Sequence, residues 1–297
     1  MITLYERKTR YANDYYEFVA DTEADIVNAE QTIKELLGRP AGIHSNIFVI
    51  KTGEKYFRDN EGNWNKAGES IVEPTFAEAT PAQLKKNVLS GKAVDLYSVG
   101  DTRQITLKNG QTITLRLANN TTDLYERSDG SGTTGFVLEF VECFGTRYYM
   151  NTTNTNDGGW NASYMHTMVM RHILAQLPDE WQEVVATVKI KAGNGYSTGN
   201  AVIESDDKLF LPAEKEIFAS RVNSAPGEWD ALTRWQWYTQ HDTSADKIKT
   251  FNGSAASWWE RSPYDNDSET FSNVTRTGNG GSYYATVEYA VAPAFCL

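Results

Sequence analysis

Residues 104–117, QITLKNGQTITLRL, carry the clearest structural signal in the chain. Apolar and polar residues alternate on both sides of Asn109-Gly110, a pair that favours a tight turn with positive φ. We therefore expect an antiparallel hairpin with one face on a core. The apolar stretch at residues 136–144 follows a loop rich in Gly and Ser, and it predicts a third strand.

Helix signals lie on either side of this hairpin. Thr80-Pro81 predicts a short helix that ends near residues 90–91, by the usual cap and stop residues. Asn161 or Ser163 is expected to cap a helix that Pro178 ends. Its methionines recur at the spacing of core residues. A further strand is predicted at residues 184–191 and a further helix at residues 212–218.

The first 68 residues predict a small separate domain. Thr22 can cap a helix that ends at Gly38, with Ile33 and Leu36 on its apolar face. A short β-meander follows around residues 47–64. The sequence thus predicts an α+β protein with an attachment or assembly domain at 1–68, a linker and short helix at 69–91, and a second domain at 92–297.

Composition excludes several classes of function. The chain has 297 residues, 12% of them aromatic, and a formal net charge of −11. That charge repels phosphate backbones, so we expect no nucleic-acid partner. No apolar run reaches the about 18 residues of a membrane span, and residues 1–10 lack a signal-peptide pattern. We expect no membrane insertion and no export by an N-terminal signal. Cys143 and Cys296 match no metal or redox spacing and are expected to be packed thiols.

Four ordered blocks resemble an uncharacterised domain family of bacterial surface proteins and of phage or prophage structural proteins. They are Gly159-Trp160-Asn161-x-Ser163-x-Met165, Asp207-Lys208-Leu209-Phe210-Leu211-Pro212-x-Glu214, Trp258-Trp259-x-Arg261-Ser262-Pro263, and Val291-x-Pro293-Ala294-Phe295-Cys296-Leu297. The family's usual third block has Leu where this chain has Glu260. Its usual ending reads Gly-Val-Arg-Pro-Ala-Phe, where this chain has Ala290 and Ala292.

The resemblance implies a C-type-lectin-like second domain, a mixed domain with an antiparallel sheet and long loops. Pieces of the N-terminal meander resemble short segments of phage virion proteins. Together these likenesses imply a bacteriophage virion protein on the particle surface: a head decoration, a fibre or a tail-tip receptor-binding protein. The runner-up is a bacterial cell-surface carbohydrate-binding protein.

The sequence offers no assembled catalytic set. It lacks a Gly-x-Ser-x-Gly elbow, a His-Glu-x-x-His pair and a phosphate loop. A glycoside hydrolase remains a lesser alternative, because carboxylates such as Glu228 and Asp230 lie near tryptophans. His166 and His172 are six residues apart and are not expected to form a metal pair. Asp265-Asn266-Asp267 resembles a calcium-ligand spacing, but the Gly and Glu of a complete loop are missing. We predict no catalytic residue, no metal and no cofactor, and calcium at this spacing stays open as an alternative.

Binding through aromatic side chains is the favoured interpretation, since flat rings stack on sugars and anchor protein contacts. The candidate ligand-binding residues are Trp235, Trp237, Tyr238, Trp258, Arg261, Tyr264 and Asp265. Core packing of Trp258-Trp259, and pairing of Arg261 with a buried carboxylate or carbonyls, stay open as alternatives. Expected partners are other virion proteins for the N-terminal domain, a host cell-surface glycan or protein for the second domain, and further copies of the chain.

Overall fold

The computed structural model describes residues 1–10, 13–59, 61–68 and 73–297. These residues form two compact units, Met1–Glu73 and Pro74–Leu297, called here the N-terminal and the C-terminal unit. Both combine helices with sheets in which antiparallel pairing predominates. The predicted α+β class is therefore confirmed.

The N-terminal unit is one five-stranded sheet with a helix against one face. Its elements are β1 Ile2–Arg10, β2 Asn13–Ala20, a 3-10 turn Glu23–Ile26, α1 Ala29–Leu37, β3 Asn46–Val49, β4 Lys55–Arg58 and β5 Trp64–Lys66. The strands lie in chain order, and only β2 and β3 run parallel, because α1 crosses over between them.

Helix α1 shows how local sequence positions the N-terminal core. It ends at Gly38, whose φ of +70° is the left-handed conformation that glycine adopts without strain. Ile33 packs with Phe18 and Ile47 of the sheet. Leu36, which the sequence assigned to the same face, is 51% exposed, so that assignment is wrong. Asn60, within the predicted β-meander, lies outside the described residues.

The C-terminal unit is built from short helices and four small sheets. Its helices are α2 Pro81–Leu89, α3 Ala93–Leu96, α4 Gly159–Ala162, a π-helix Met165–Val169, α5 Met170–Gln176, α6 Asp179–Gln182, α7 Glu214–Ile217, α8 Pro226–Asp230 and α9 Gln236–Gln240, with 3-10 turns Tyr196–Thr198 and Ala245–Lys247. Its strands are β6 Thr102–Thr106, β7 Thr112–Glu126, β8 Thr133–Phe140, β9 Val188–Gly193, β10 Val202–Asp207, β11 Lys249–Phe251, β12 Ser254–Ala256, β13 Trp258–Pro263, β14 Thr270–Val274, β15 Gly280–Tyr284 and β16 Ala294–Cys296.

The largest sheet of this unit has the order β16-β8-β7-β6, and all its pairs are antiparallel. The predicted hairpin joins β6 to β7, and Gly110 of its turn has a φ of +87°. A second sheet has the order β13-β14-β15. Strand pairs β9–β10 and β11–β12 complete the unit.

The two compact units divide the chain between Glu73 and Pro74, inside the segment predicted as a linker and short helix. Residues 69–72 of the predicted linker lie outside the described residues. The rest of that segment from Pro74 onward belongs to the C-terminal unit, because Phe76, Ala79 and Leu84 are buried in its core. The helix predicted at Thr80-Pro81 is confirmed, with the Thr80 hydroxyl accepting from the Gln83 N–H at 3.2 Å.

The region after residue 228 is more regular than the sequence indicates. The resemblance implies long loops in this domain, but here the chain forms α8, α9 and β11 to β15. Trp258 and Trp259 lie in strand β13, and Trp237 lies in helix α9. Within the described parts of the chain, the structure contains no helix whose length and hydrophobicity would let it span a bilayer.

Candidate functional site

Four of the predicted ligand-binding residues are part of the core. Trp235, Tyr238, Trp258 and Arg261 each have 0% exposure. Stacking on a ligand requires a ring face that the ligand can reach. The prediction of a binding role is therefore wrong for these four, and the alternative that Trp258 and Trp259 are core residues is confirmed.

The polar atoms of the buried aromatic rings are satisfied internally. The Trp235 indole N–H donates to the Tyr125 hydroxyl at 2.9 Å. The Trp258 indole N–H donates to the Lys247 carbonyl at 3.1 Å. The Tyr238 hydroxyl donates to the Glu139 carboxylate at 2.8 Å. These bonds make the rings parts of the scaffold, since they leave no donor for a ligand.

Arg261 holds several elements together from the centre of the unit. Its guanidinium binds the Glu216 carboxylate twice, at 2.6 and 2.7 Å, and donates to the Leu211 and Lys191 carbonyls. Burial opposes its charge, but the adjacent Glu216 carboxylate outweighs that effect and raises the pKa of Arg261. Arg261 therefore makes both of the internal contacts that the sequence left open, one with a buried carboxylate and one with backbone carbonyls.

Trp237 is half-buried, and both of its faces are occupied. The Arg116 guanidinium lies 3.9 Å from the ring centroid, and the His241 ring stacks at 3.8 Å. Two groups this close to one ring cannot share the same side of it. At the ring edge, a Cβ on Gly100 would come within 3.0 Å of the indole. Trp237 therefore has no free face for a sugar.

Tyr264 and Asp265 are half-buried in the loop between β13 and β14. The Arg221 guanidinium pairs with the Asp265 carboxylate at 2.9 Å. The Asn156 side-chain amide donates to the carbonyls of Tyr264, Asp267 and Thr270, at 3.1, 2.7 and 2.9 Å. These bonds hold the loop in one conformation, so Tyr264 and Asp265 contribute to the structure of the loop.

Six tyrosines of the C-terminal unit that the sequence interpretation missed are at least partly exposed and lie in two contact groups, and together they are called here the tyrosine face. Its members are Tyr148, Tyr149, Tyr164, Tyr283, Tyr284 and Tyr289. Tyr283 and Tyr284 are 46% and 48% exposed, and the other four are partly exposed. The doublets Tyr148-Tyr149 and Tyr283-Tyr284 were a visible signal for it.

One backbone bridge and ring contacts join four of these tyrosines in one group, and the other two form a pair. Tyr148 and Tyr289 pair as opposed residues of an antiparallel bridge, so their side chains emerge on the same side. The Tyr289 ring lies 5.4 Å from that of Tyr283, which lies 5.9 Å from Tyr284. The Tyr149 ring lies 4.9 Å from that of Tyr164 on the segment before the π-helix.

A rigid floor supports the tyrosine face. The buried Trp259 ring packs 4.9 Å from Tyr289, and its indole N–H donates to the Tyr148 carbonyl at 2.9 Å. Burial raises the pKa of both Tyr148 and Tyr289, so their hydroxyls are neutral at pH 7 and can donate and accept hydrogen bonds. The arrangement offers apolar ring area edged by hydroxyl groups.

Several other chemistry-bearing groups are buried. Desolvation, opposed in part by Arg261, raises the pKa of Glu228 to about 7, and this carboxyl accepts from the Ser262 hydroxyl at 2.8 Å inside the core. Burial raises the pKa of the Cys143 thiol to about 12 and also raises that of Cys296. Among the residues described, no three His, Cys, Asp or Glu side chains are grouped to hold a metal ion.

Comparison with protein families finds one match, a domain of unknown function (DUF6273), over residues 136–297. The match spans more than half of the chain. The chain belongs to this family. Comparison with curated proteins finds no match, and comparison with solved structures finds none either.

The DUF6273 region contains all four sequence blocks and all six tyrosines of the tyrosine face. The blocks meet in the core. The Trp160 indole N–H donates to the Asp207 carboxylate at 2.9 Å, and the Glu214 N–H donates to the Ser262 hydroxyl at 3.0 Å. Phe210 pairs through its backbone with Ala294. The blocks thus build the DUF6273 scaffold, and the tyrosine face lies on its surface.

Proposed function

We propose that this protein is a non-enzymatic structural or accessory protein of a bacteriophage virion, whose C-terminal unit binds a host cell-surface glycan or protein. The observation that carries the proposal is the tyrosine face on a firmly packed scaffold. The N-terminal unit would attach to other virion proteins, and the C-terminal unit would face outward from the particle.

Tyrosine suits such a surface for physical reasons. Its ring supplies a large contact area with few rotatable bonds, so little conformational entropy is lost on binding. Its hydroxyl pairs with polar groups of the ligand. Weak contacts of this kind gain avidity when a particle presents many copies at once.

A C-type-lectin-like arrangement of the C-terminal unit is part of this proposal. The four sequence blocks support it, as does a mixed unit that ends in strand β16 of its main sheet. Such folds carry ligand contacts on a variable surface above a fixed core, and here the blocks form the core while the tyrosines lie outside it.

The test is a paired measurement of cell adsorption and stability. We expect Tyr283→Ala and Tyr284→Ala to weaken adsorption to host cells by about 1–3 kcal/mol for a true anchor, with little change in melting temperature, because both rings are exposed. Tyr196 is the matched control, since it is 48% exposed and lies outside the tyrosine face. Equal adsorption by all three variants and the parent would refute the proposed binding surface.

Location on the particle is tested separately. Immunogold labelling or cryo-electron microscopy of purified phage should find the protein on the head, a fibre or the tail tip. Its presence on uninfected bacterial cells and absence from particles would favour the runner-up, a bacterial cell-surface carbohydrate-binding protein.

A further inference from the structure

We propose that a second site in the C-terminal unit, a polar pocket of about 220 Å³, binds one neutral sugar unit. The β7–β8 hairpin, strands β9 and β10, helix α7 and residues 231–233 line it. None of the tyrosine-face residues lines it. The proposal stands whether or not the protein belongs to a virion.

The floor of the polar pocket is a buried hydrogen-bond network. The Tyr125 hydroxyl donates to the Glu216 carboxylate at 2.6 Å, and both side chains line the pocket. The Arg261 guanidinium donates two hydrogen bonds to the same carboxylate, at 2.6 and 2.7 Å. Glu216 is 1% exposed, so its charge is fixed in place and compensated. A floor held in this way does not rearrange when a ligand enters.

Paired charges of both signs surround the opening. The Lys189 ammonium lies 3.1 Å from the Glu126 carboxylate, and the Lys191 ammonium lies 4.0 Å from that of Glu204. Asp123 adds a further carboxylate. These carboxylates would repel a free anion, and the two ammonium groups would repel a free cation.

A sugar hydroxyl suits this lining better than an ion does. It can donate to a carboxylate while it accepts from an ammonium group, so neighbouring ion-paired side chains can both be satisfied by one ligand group. Leu124 and Leu232 supply apolar wall on which the carbon face of a sugar ring can lie. The pocket is smaller than those that take drug-sized ligands, which limits the occupant to about one ring.

Ligand-detected NMR by saturation transfer tests this site with a defined panel: glucose, galactose, mannose, N-acetylglucosamine and N-acetylgalactosamine. We expect at least one of them to bind the parent protein. Lys191→Met and Glu204→Gln should each weaken that binding at least about tenfold, because each removes one half of a pair at the opening. Both side chains are about half exposed, so these variants should fold.

Matched controls separate this site from the rest of the surface. Lys108 and Asp179 form an exposed ion pair at 2.5 Å outside the pocket, so Lys108→Met and Asp179→Asn should bind the sugar like the parent. No transfer to any sugar of the panel, or equal binding by Lys191→Met, Glu204→Gln and the parent, would overturn the proposal without touching the cell-adsorption result.

Discussion

Glu260 is fully buried in strand β13, and neither of its carboxylate oxygens has a hydrogen-bond partner within the described chain. Desolvation raises its pKa well above the ordinary value, and the nearby carboxylates of Glu214 and Glu228 raise it further. Both effects favour the neutral acid over the carboxylate.

Replacing this residue should stabilise the protein. We expect Glu260→Leu to raise the free energy of unfolding by about 1–3 kcal/mol at neutral pH, because an unsatisfied polar group leaves the core. Denaturant titration followed by tryptophan fluorescence measures the change. Glu269→Leu, at an exposed position, is the control and should shift stability by less than about 0.5 kcal/mol. A destabilised Glu260→Leu protein would contradict this account.

The same raised pKa values make stability fall as pH rises. A carboxyl whose pKa is raised on folding contributes fully below its ordinary pKa of 4.5 and loses that contribution as pH climbs through its folded value, about 7 for Glu228. Melting temperatures of Glu228→Gln and the parent, measured between about pH 5 and 8, should diverge in this window. Parallel curves would show that Glu228 does not titrate in this way.

Replacing Trp235 distinguishes a surface binding residue from a core residue. Because the ring is fully buried and bonded to Tyr125, we expect Trp235→Ala to cost about 3–5 kcal/mol through the cavity it leaves. Thermal unfolding by circular dichroism checks this value. A variant that melts like the parent would restore the surface role that the sequence suggested.

At the scale of elements, strand β8 is tied to its neighbours by one buried carboxylate. Glu139 accepts from Arg116 of β7 at 2.6 Å, from Lys249 of β11 at 2.8 Å and from Tyr238 of α9 at 2.8 Å. Burial alone would raise its pKa, but Arg116 and Lys249 outweigh that effect and lower it to about 2. One anion thus compensates two buried cations.

Removing this anion should be costly. We expect Glu139→Leu to destabilise the C-terminal unit by about 3–5 kcal/mol, because Arg116 and Lys249 would stay buried without their counter-charge. In the parent, the Glu139 contribution is present above the ordinary pKa of 4.5 and is lost as pH falls toward about 2. Acid unfolding followed by circular dichroism tests both statements, and Asp179→Leu, at an exposed ion pair, is the control.

At the scale of the whole molecule, the boundary between the units predicts which fragment folds. We expect residues 74–297 to fold alone, with a cooperative melt, because they contain a complete core. A fragment of residues 92–297 should fail to fold, since it lacks Phe76, Ala79 and Leu84 and leaves Arg103 without the Ala79 carbonyl at 2.5 Å. Equal melting of the two fragments would contradict this boundary.

Self-association also belongs to this scale and stays a prediction. We expect a symmetric trimer or another closed ring, because several copies of a weak binding surface gain avidity together. Light scattering at micromolar concentration measures the mass directly. A monomer, for both free and particle-extracted protein, would remove the basis for this expectation.

Short-range sequence determined the local turns and caps of this protein. The hairpin at Asn109-Gly110, the helix start at Thr80 and the helix end at Gly38 were all predictable, because each depends on the conformational freedom or hydrogen bonding of a few adjacent residues. Only the tertiary structure decided which aromatic rings face solvent. Burial depends on packing between distant segments: it placed Trp235 and Trp258 inside, and it brought Tyr148 beside Tyr289 at the surface. The composition shows that aromatic rings are abundant, but packing between distant segments determines which of them a ligand can reach.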